Sequence, residues 1–227
     1  MTLAALDERF AVWARRPLAQ AIRNGFICYV LGPLLRHYTN PRVLGRESLE
    51  QAEAPVVFAA NHSSHLDTPL ILQALPPEWR RRTAVVAAAD YFYRNALVAG
   101  LVSLAFGTVP IERKAAISRD SAQRLNDVVR ERWNLLLYPE GTRSRDGRMG
   151  KMRSGAARLA VEHGIALVPI AIVGSHEAMP PGRAWPRRRP VVVRFGIPIT
   201  PRPGEDHRAL TEKLQVTLEK MRTRAHD

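Results

Sequence analysis

Residues 55–67 read Pro55-Val56-Val57-Phe58-Ala59-Ala60-Asn61-His62-Ser63-Ser64-His65-Leu66-Asp67. A short apolar run bounded by turn formers is the pattern of a strand buried on both faces, as strands of parallel sheets are. The polar residues behind it stand where open α/β sheets bind ligands, just past a strand end. Asp67 can then cap a helix over 68–75, with Pro69 tolerated in its first turn.

The same alternation continues outward from this stretch. Strands are predicted over 83–88, 108–111, 134–138, 166–173 and 190–195, and helices over 94–106, 117–132, 154–163 and 205–224. In the second of these helices Leu125, Val128 and Val129 share a face. Strands alternating with helices predict one α/β domain with a mixed, largely parallel sheet flanked by helices. Pro169 inside its strand fits an edge or a bulge. Residues 179–189, rich in Pro, Gly and Arg, predict a surface loop.

Residues 3–36 read as helical with a break at Arg16-Pro17. The second part mixes Arg23 and Arg36 with Ile22, Phe26, Ile27, Tyr29, Val30, Leu31, Leu34 and Leu35, a broad apolar face edged by cations, the pattern of an interfacial anchor. A helix packed on the domain core has the same pattern. The apolar stretch 25–35 is shorter than the roughly 20 residues of a spanning helix. Residues 95–111 contain Gly100, Gly107 and Pro110. The expectation is therefore an N-terminal membrane-surface segment, 1–40, followed by an α/β domain, 41–227. Asp7, Glu8, Arg9, Arg15 and Arg16 speak against a secretory signal. A single cysteine, Cys28, excludes an intramolecular disulfide and fits a reducing compartment. The expected location is the cytoplasmic face of a membrane, peripheral or monotopic.

Lysine and arginine number 34 against 21 acidic residues, a net charge of +13. Such an excess predicts an anionic partner: substrate phosphate, an acidic membrane or nucleic acid. The cations are spread through the chain rather than gathered in a tail. Arg80-Arg81-Arg82 and Arg187-Arg188-Arg189 form local clusters that read equally well as solvated basic surface.

His62 and Asp67 carry the chemistry. On a continuous helix they would sit about 140° apart, so only a loop can bring them together. Asp67 could then accept from one imidazole nitrogen while the other takes a proton from an attacking hydroxyl. That is the His–Asp half of a serine-protease triad, with the substrate's alcohol in place of the serine. Two other readings stand beside it. His and Asp near a turn serve as capping residues, and His62, His65 and Asp67 are possible metal ligands, although no Cys cluster or HExxH accompanies them. Three further stretches follow strands or form them. Tyr138-Pro139-Glu140-Gly141-Thr142-Arg143-Ser144 offers a Gly-containing turn and a guanidinium suited to phosphate. Gly107 to Arg113 places an arginine past a short strand, and Val168-Pro169-Ile170 lies within one.

In this order the four motifs resemble those of the glycerolipid acyltransferase family, over about residues 43–200. His62 and Asp67 match its HxxxxD motif, Gly107 to Arg113 its second, Tyr138 to Ser144 its PEGTR motif and Val168 to Ile170 its fourth. The resemblance implies that His62 is a general base oriented by Asp67. It implies that Arg113, Glu140, Gly141, Thr142 and Arg143 shape a pocket for the acceptor's glycerol-phosphate part, and that Pro169 lines the acyl-donor side. It further implies a lysophospholipid acceptor, acyl-CoA or acyl-carrier protein as donor and co-substrate, no metal or other cofactor, an anionic membrane surface as partner, and no nucleic acid. Met152 stands where the family usually has an aromatic residue, and His65 has no assigned role.

Overall fold

A computed structural model describes residues 12–88, 96–111 and 118–223. Its centre is a seven-stranded sheet of β1 (Arg42–Leu44), β2 (Val57–Ala60), β3 (Thr83–Ala88), β4 (Thr108–Ile111), β5 (Asn134–Leu137), β6 (Leu167–Val173) and β7 (Val192–Phe195). The spatial order is β1-β7-β6-β2-β5-β3-β4. Every neighbouring pair is parallel except β6 and β7. Strand β2, which leads into Asn61 and His62, is therefore central. Its Val57 and Ala59 face one apolar core and Phe58 and Ala60 the other. Both faces being covered is why the run has no polar alternation.

The helices are α1 (Pro17–Thr39), α2 (Asp67–Ala74), α3 (Pro77–Arg81), α4 (Ala96–Phe106), α5 (Arg119–Arg130), α6 (Gly155–His163), α7 (Ser175–Ala178) and α8 (His207–Thr223). Leu210, Leu214 and Leu218 of α8 repeat every four residues and join Leu125, Val128 and Val129 of α5 in one core. Residues such as Ile27 and Leu35 of α1 and Leu70 of α2 join the other. The mixed, largely parallel sheet with flanking helices is as expected from the alternation. Strand β1, the 3-10 turn Arg46–Gln51, α3 and α7 are short elements with too few residues to show a period.

Packing settles one open reading, that of Pro169 as an edge or a bulge residue, and corrects two expectations. Pro169 is not on an edge, since β6 is bonded to β2 on one side and β7 on the other. Its missing N–H coincides with a slip in register: Leu167 bridges Ile199, whereas Ile170 pairs with Phe195, an extra residue on one side of the ladder. First, α1 runs unbroken for 23 residues, long and apolar enough by length and composition to cross a membrane. A π-helical segment, Phe26–Leu31, carries it through the middle. Yet one side is built into the domain. Arg23, expected as a flanking cation, is buried and donates to Leu104 O at 3.0 Å and to Ala14 O. It seals the carbonyl end of α4, where a cation is favoured, and presses so close to Gly107 that a Cβ there would lie 2.8 Å from its Cζ. Burial lowers its pKa to about 10. Second, Arg80 is buried and reaches Asn24 Oδ1 at 3.1 Å and the Leu72 and Leu75 carbonyls at 3.4 Å, so this cluster is not simply solvated surface.

Candidate active site

Asn61 fixes the chain as it leaves β2. Its amide donates to Ile172 O (2.9 Å) and accepts from Ile172 N–H (2.8 Å), extending the contact with β6 by a side chain. The loop that follows returns on itself within five residues. Asp67 begins α2 but does not cap it. Its Oδ2 instead accepts from the N–H groups of Ser63 (2.7 Å) and Ser64 (2.8 Å) and lies 2.8 Å from His62 Nδ1. The carboxylate is fully buried, a placement tolerable because charged acceptors bind such donors strongly. A carboxylate partner requires Nδ1 to carry hydrogen, which leaves Nε2 as the basic nitrogen.

The loop after the adjacent strand β5 holds His62 from two further directions. The Tyr138 ring stacks on the imidazole, with centroids 3.9 Å apart and planes inclined by 18°. The Tyr138 hydroxyl is 2.7 Å from Thr68 Oγ1. Burial, with the Asp67 charge adding to it, pushes the Tyr138 pKa well above its ordinary value, so the ring is a neutral phenol. The backbone of His62 is gripped as well: its N–H donates to Glu140 Oε1 (2.7 Å) and its carbonyl accepts from Ser144 N–H (2.8 Å). Gly141 makes the turn between these contacts at a φ of +74°, a conformation open to glycine at little cost.

Glu140 is thus a brace. Its second oxygen accepts from Gly150 N–H at 2.7 Å, so both oxygens are committed to backbone donors. Glutamine can accept with only one of its terminal atoms. Glu140→Gln is expected to cost about 1–3 kcal/mol of stability and to slow turnover by loosening His62, as chemical denaturation and kinetics on the same sample would reveal; unchanged stability would refute the brace. Burial outweighs the two N–H donors and raises the Glu140 pKa. Its contribution to stability is then complete below the unfolded pKa and lost as pH rises through the folded one. The glutamine variant should lack that part of the pH dependence.

A cavity of about 310 Å3 adjoins the imidazole. Its inner wall is apolar, built from residues including Val86, Ala88, Val102, Phe106 and Ile111, and its polar lining includes His62, His65, Thr68 and Arg143. Burial first, then the charges of Arg143 and His62, lower the His65 pKa against the opposing pull of Asp67. His65 is therefore a neutral imidazole at neutral pH. Among the described residues, no three or more His, Cys, Asp or Glu side chains are grouped to hold a metal ion.

The structure brings together His62, Asp67, Gly141 and Arg143. It does not bring Glu140, Thr142 or Pro169 to the cavity. Glu140 is turned to backbone donors, and Thr142 is exposed outside the lining. Pro169 is buried, packed so close to Gly196 that a Cβ there would lie 2.8 Å from its ring. Arg113 lies outside the described residues. Met152 is core packing. The Tyr138 stack and the cavity position of His65 went unread in the sequence, because neither spacing nor residue type announces a contact between two loops.

The acyltransferase family profile matches residues 40–173, more than half of the chain. Similar proteins include the chloroplast 1-acyl-sn-glycerol-3-phosphate acyltransferase of Arabidopsis thaliana, 30% identical over 61% of this chain and 37% of its own length. The lyso-ornithine lipid O-acyltransferase of Pseudomonas aeruginosa is 32% identical over 61% of this chain and 51% of its own length. The chain therefore spans only about two fifths to one half of these relatives. The crystal structure of the 1-acyl-sn-glycerophosphate acyltransferase of Thermotoga maritima shares the fold, with a TM-score of 0.67, 18% identity, and coverage of 89% of this chain and 76% of that one. A paired histidine and aspartate beside an arginine-edged cavity, on this fold and with this match, leave one assignment: the chain belongs to the acyltransferase family.

Proposed function

We propose that the chain is an O-acyltransferase moving a fatty acyl group from acyl-CoA or acyl-carrier protein to the free hydroxyl of a lysophospholipid. The acceptor we favour is 1-acyl-glycerol-3-phosphate, giving phosphatidic acid. The observation that carries this reading is the 2.8 Å bond from His62 Nδ1 to a buried carboxylate, at the polar end of an apolar cavity.

His62 Nε2 takes the proton of the acceptor hydroxyl as its oxygen attacks the thioester carbonyl. The imidazolium that forms is stabilised by Asp67, whose own two N–H donors hold it oriented. The tetrahedral intermediate expels the thiolate, which recovers the proton from His62. No metal or other cofactor enters these steps. Arg143 at the cavity, with Arg113, binds the acceptor phosphate, and the apolar wall takes an acyl chain. Purified protein with labelled donor, offered as acyl-CoA or acyl-carrier protein, would be assayed against a panel of acceptors. Phosphatidic acid formed from 1-acyl-glycerol-3-phosphate is the expected product; failure with every lysolipid would sink the reading. A lyso-ornithine acceptor is the second reading, favoured by the similarity to the Pseudomonas protein. A zwitterionic acceptor should lose less than the phosphate one when Arg143 becomes Ala.

The acceptor is a membrane lipid, and residues 1–40 hold the chain to the cytoplasmic face of an anionic membrane. The outward side of α1 supports this, with Leu18 74% and Val30 56% exposed. Its inward side, buried through Arg23 and Ile27, favours a helix lying in the interface over one that spans it.

A further inference from the structure

Along α1, apolar residues recur at every fourth position: Leu18, Ile22, Phe26, Val30, Leu34 and Tyr38. In a regular α-helix a four-residue step overshoots one turn by about 40°, so five steps would wind this stripe about 200° around the axis. The π segment, Phe26–Leu31, has more residues per turn. A four-residue step there falls short of a turn and reverses the drift. The stripe consequently stays on one side, with Leu18, Ile22, Val30 and Leu34 all exposed.

The stripe runs into the loop of residues 179–189. Tyr38, its last member, accepts a hydrogen bond at its hydroxyl from Trp185 Nε1 (2.9 Å), and the two rings meet edge to face at 6.0 Å. Trp185 is nevertheless 60% exposed. Arg189 N–H donates to Tyr38 O at 2.9 Å, and the Arg188 guanidinium lies 2.7 Å from His37 Nε2. Arg187, Arg188 and Arg189 are all exposed, and no carboxylate among the described residues pairs with them. An apolar band ending in an exposed indole and three adjacent cations matches the layers of an anionic leaflet, with acyl chains beneath a negatively charged headgroup zone. The loop is also tied to the catalytic segment, since Ser64 Oγ donates to Met179 O at 2.7 Å.

We infer that the loop of residues 179–189 is a second membrane-docking element, in which Trp185 seats at the interface and Arg187, Arg188 and Arg189 bind anionic headgroups, aligning the mouth near His62 with the bilayer. This rests on the membrane reading above. The full chain, Trp185→Ala and the triple variant Arg187→Ala, Arg188→Ala, Arg189→Ala would be sedimented with vesicles of phosphatidylcholine alone or with one third phosphatidylglycerol. The triple variant should lose at least about tenfold in affinity for the anionic vesicles and nothing on the neutral ones, and a triple lysine variant should recover it. Trp185→Ala should lose several-fold on both. Quenching of tryptophan fluorescence by lipids brominated near the headgroup should fall in Trp185→Phe. Parent-like affinity of the alanine variants for anionic vesicles overturns the proposal, as does weakened binding to duplex DNA with vesicle binding intact. Turnover on a detergent-dispersed acceptor, measured in parallel, should be equal in all variants. A parent that binds vesicles through the loop yet transfers no acyl group would count against the enzyme alone.

Discussion

Replacing His62 with alanine is expected to lower kcat about 10²- to 10⁴-fold, the range that a general base supplies, with little change in thermal unfolding. The fold should survive because the contacts that place this residue belong to its backbone. The N–H to Glu140 and the carbonyl to Ser144 remain. Asp67 keeps the Ser63 and Ser64 donors, so no carboxylate is left bare in the core. What disappears is the nitrogen proposed to take the proton. Exogenous imidazole, small enough for the space vacated over Tyr138, should restore part of the rate, and that rescue should grow with pH as free imidazole loses its proton. Retention of more than a few per cent of activity would remove His62 as the base.

Asp67→Asn should be equally severe, about 10⁴-fold in kcat by analogy with the same exchange in a serine protease. The amide has one accepting oxygen and one donating nitrogen. Ser63 N–H, Ser64 N–H and His62 Nδ1 all meet the same oxygen, Oδ2. An amide oxygen there keeps the three contacts but lacks the charge that stabilises the imidazolium. An NH2 there strands the two N–H donors and faces His62 Nδ1. That nitrogen must then accept, and the ring's hydrogen moves to Nε2, where the substrate hydroxyl needs a base. In the proposed mechanism Asp67 acts only through His62, so the double variant should be no slower than His62→Ala. Independent, multiplying losses would show that Asp67 works by some other route. A small effect of Asp67→Asn on kcat would sink the orienting role altogether.

The brace expected for Glu140 differs from these two in kind. It is a matter of backbone support, and its variant should lose stability and rate together, whereas His62→Ala should lose rate alone. Residues of one motif thus divide between chemistry and architecture. The PEGTR stretch resembles a pocket-forming turn, but of its members only Tyr138, Gly141 and Arg143 line the cavity. Motif membership marks a residue as needed without saying which way its side chain turns.

Local sequence determined the parts of this protein that depend on neighbours in the chain. An apolar run closed by turn residues gave β2, four-residue leucine steps gave α8, and the order of the strands and helices gave the sheet's class. The five-residue gap between His62 and Asp67 required a loop if the two were to meet. Tertiary structure alone decided what depends on distant neighbours. The four-residue stripe of α1 was present in the sequence, but only packing put Arg23 under α4 and left the stripe facing outward. Pro169 reads equally as an edge or a bulge residue, and only the register slip of β7 beside it selects the bulge. Tyr138 stacks on an imidazole 76 residues away in the chain because β2 and β5 are hydrogen-bonded neighbours. Periodicity reports which face of an element is apolar; it carries no information about which other element will cover that face or how a buried charge finds its donors.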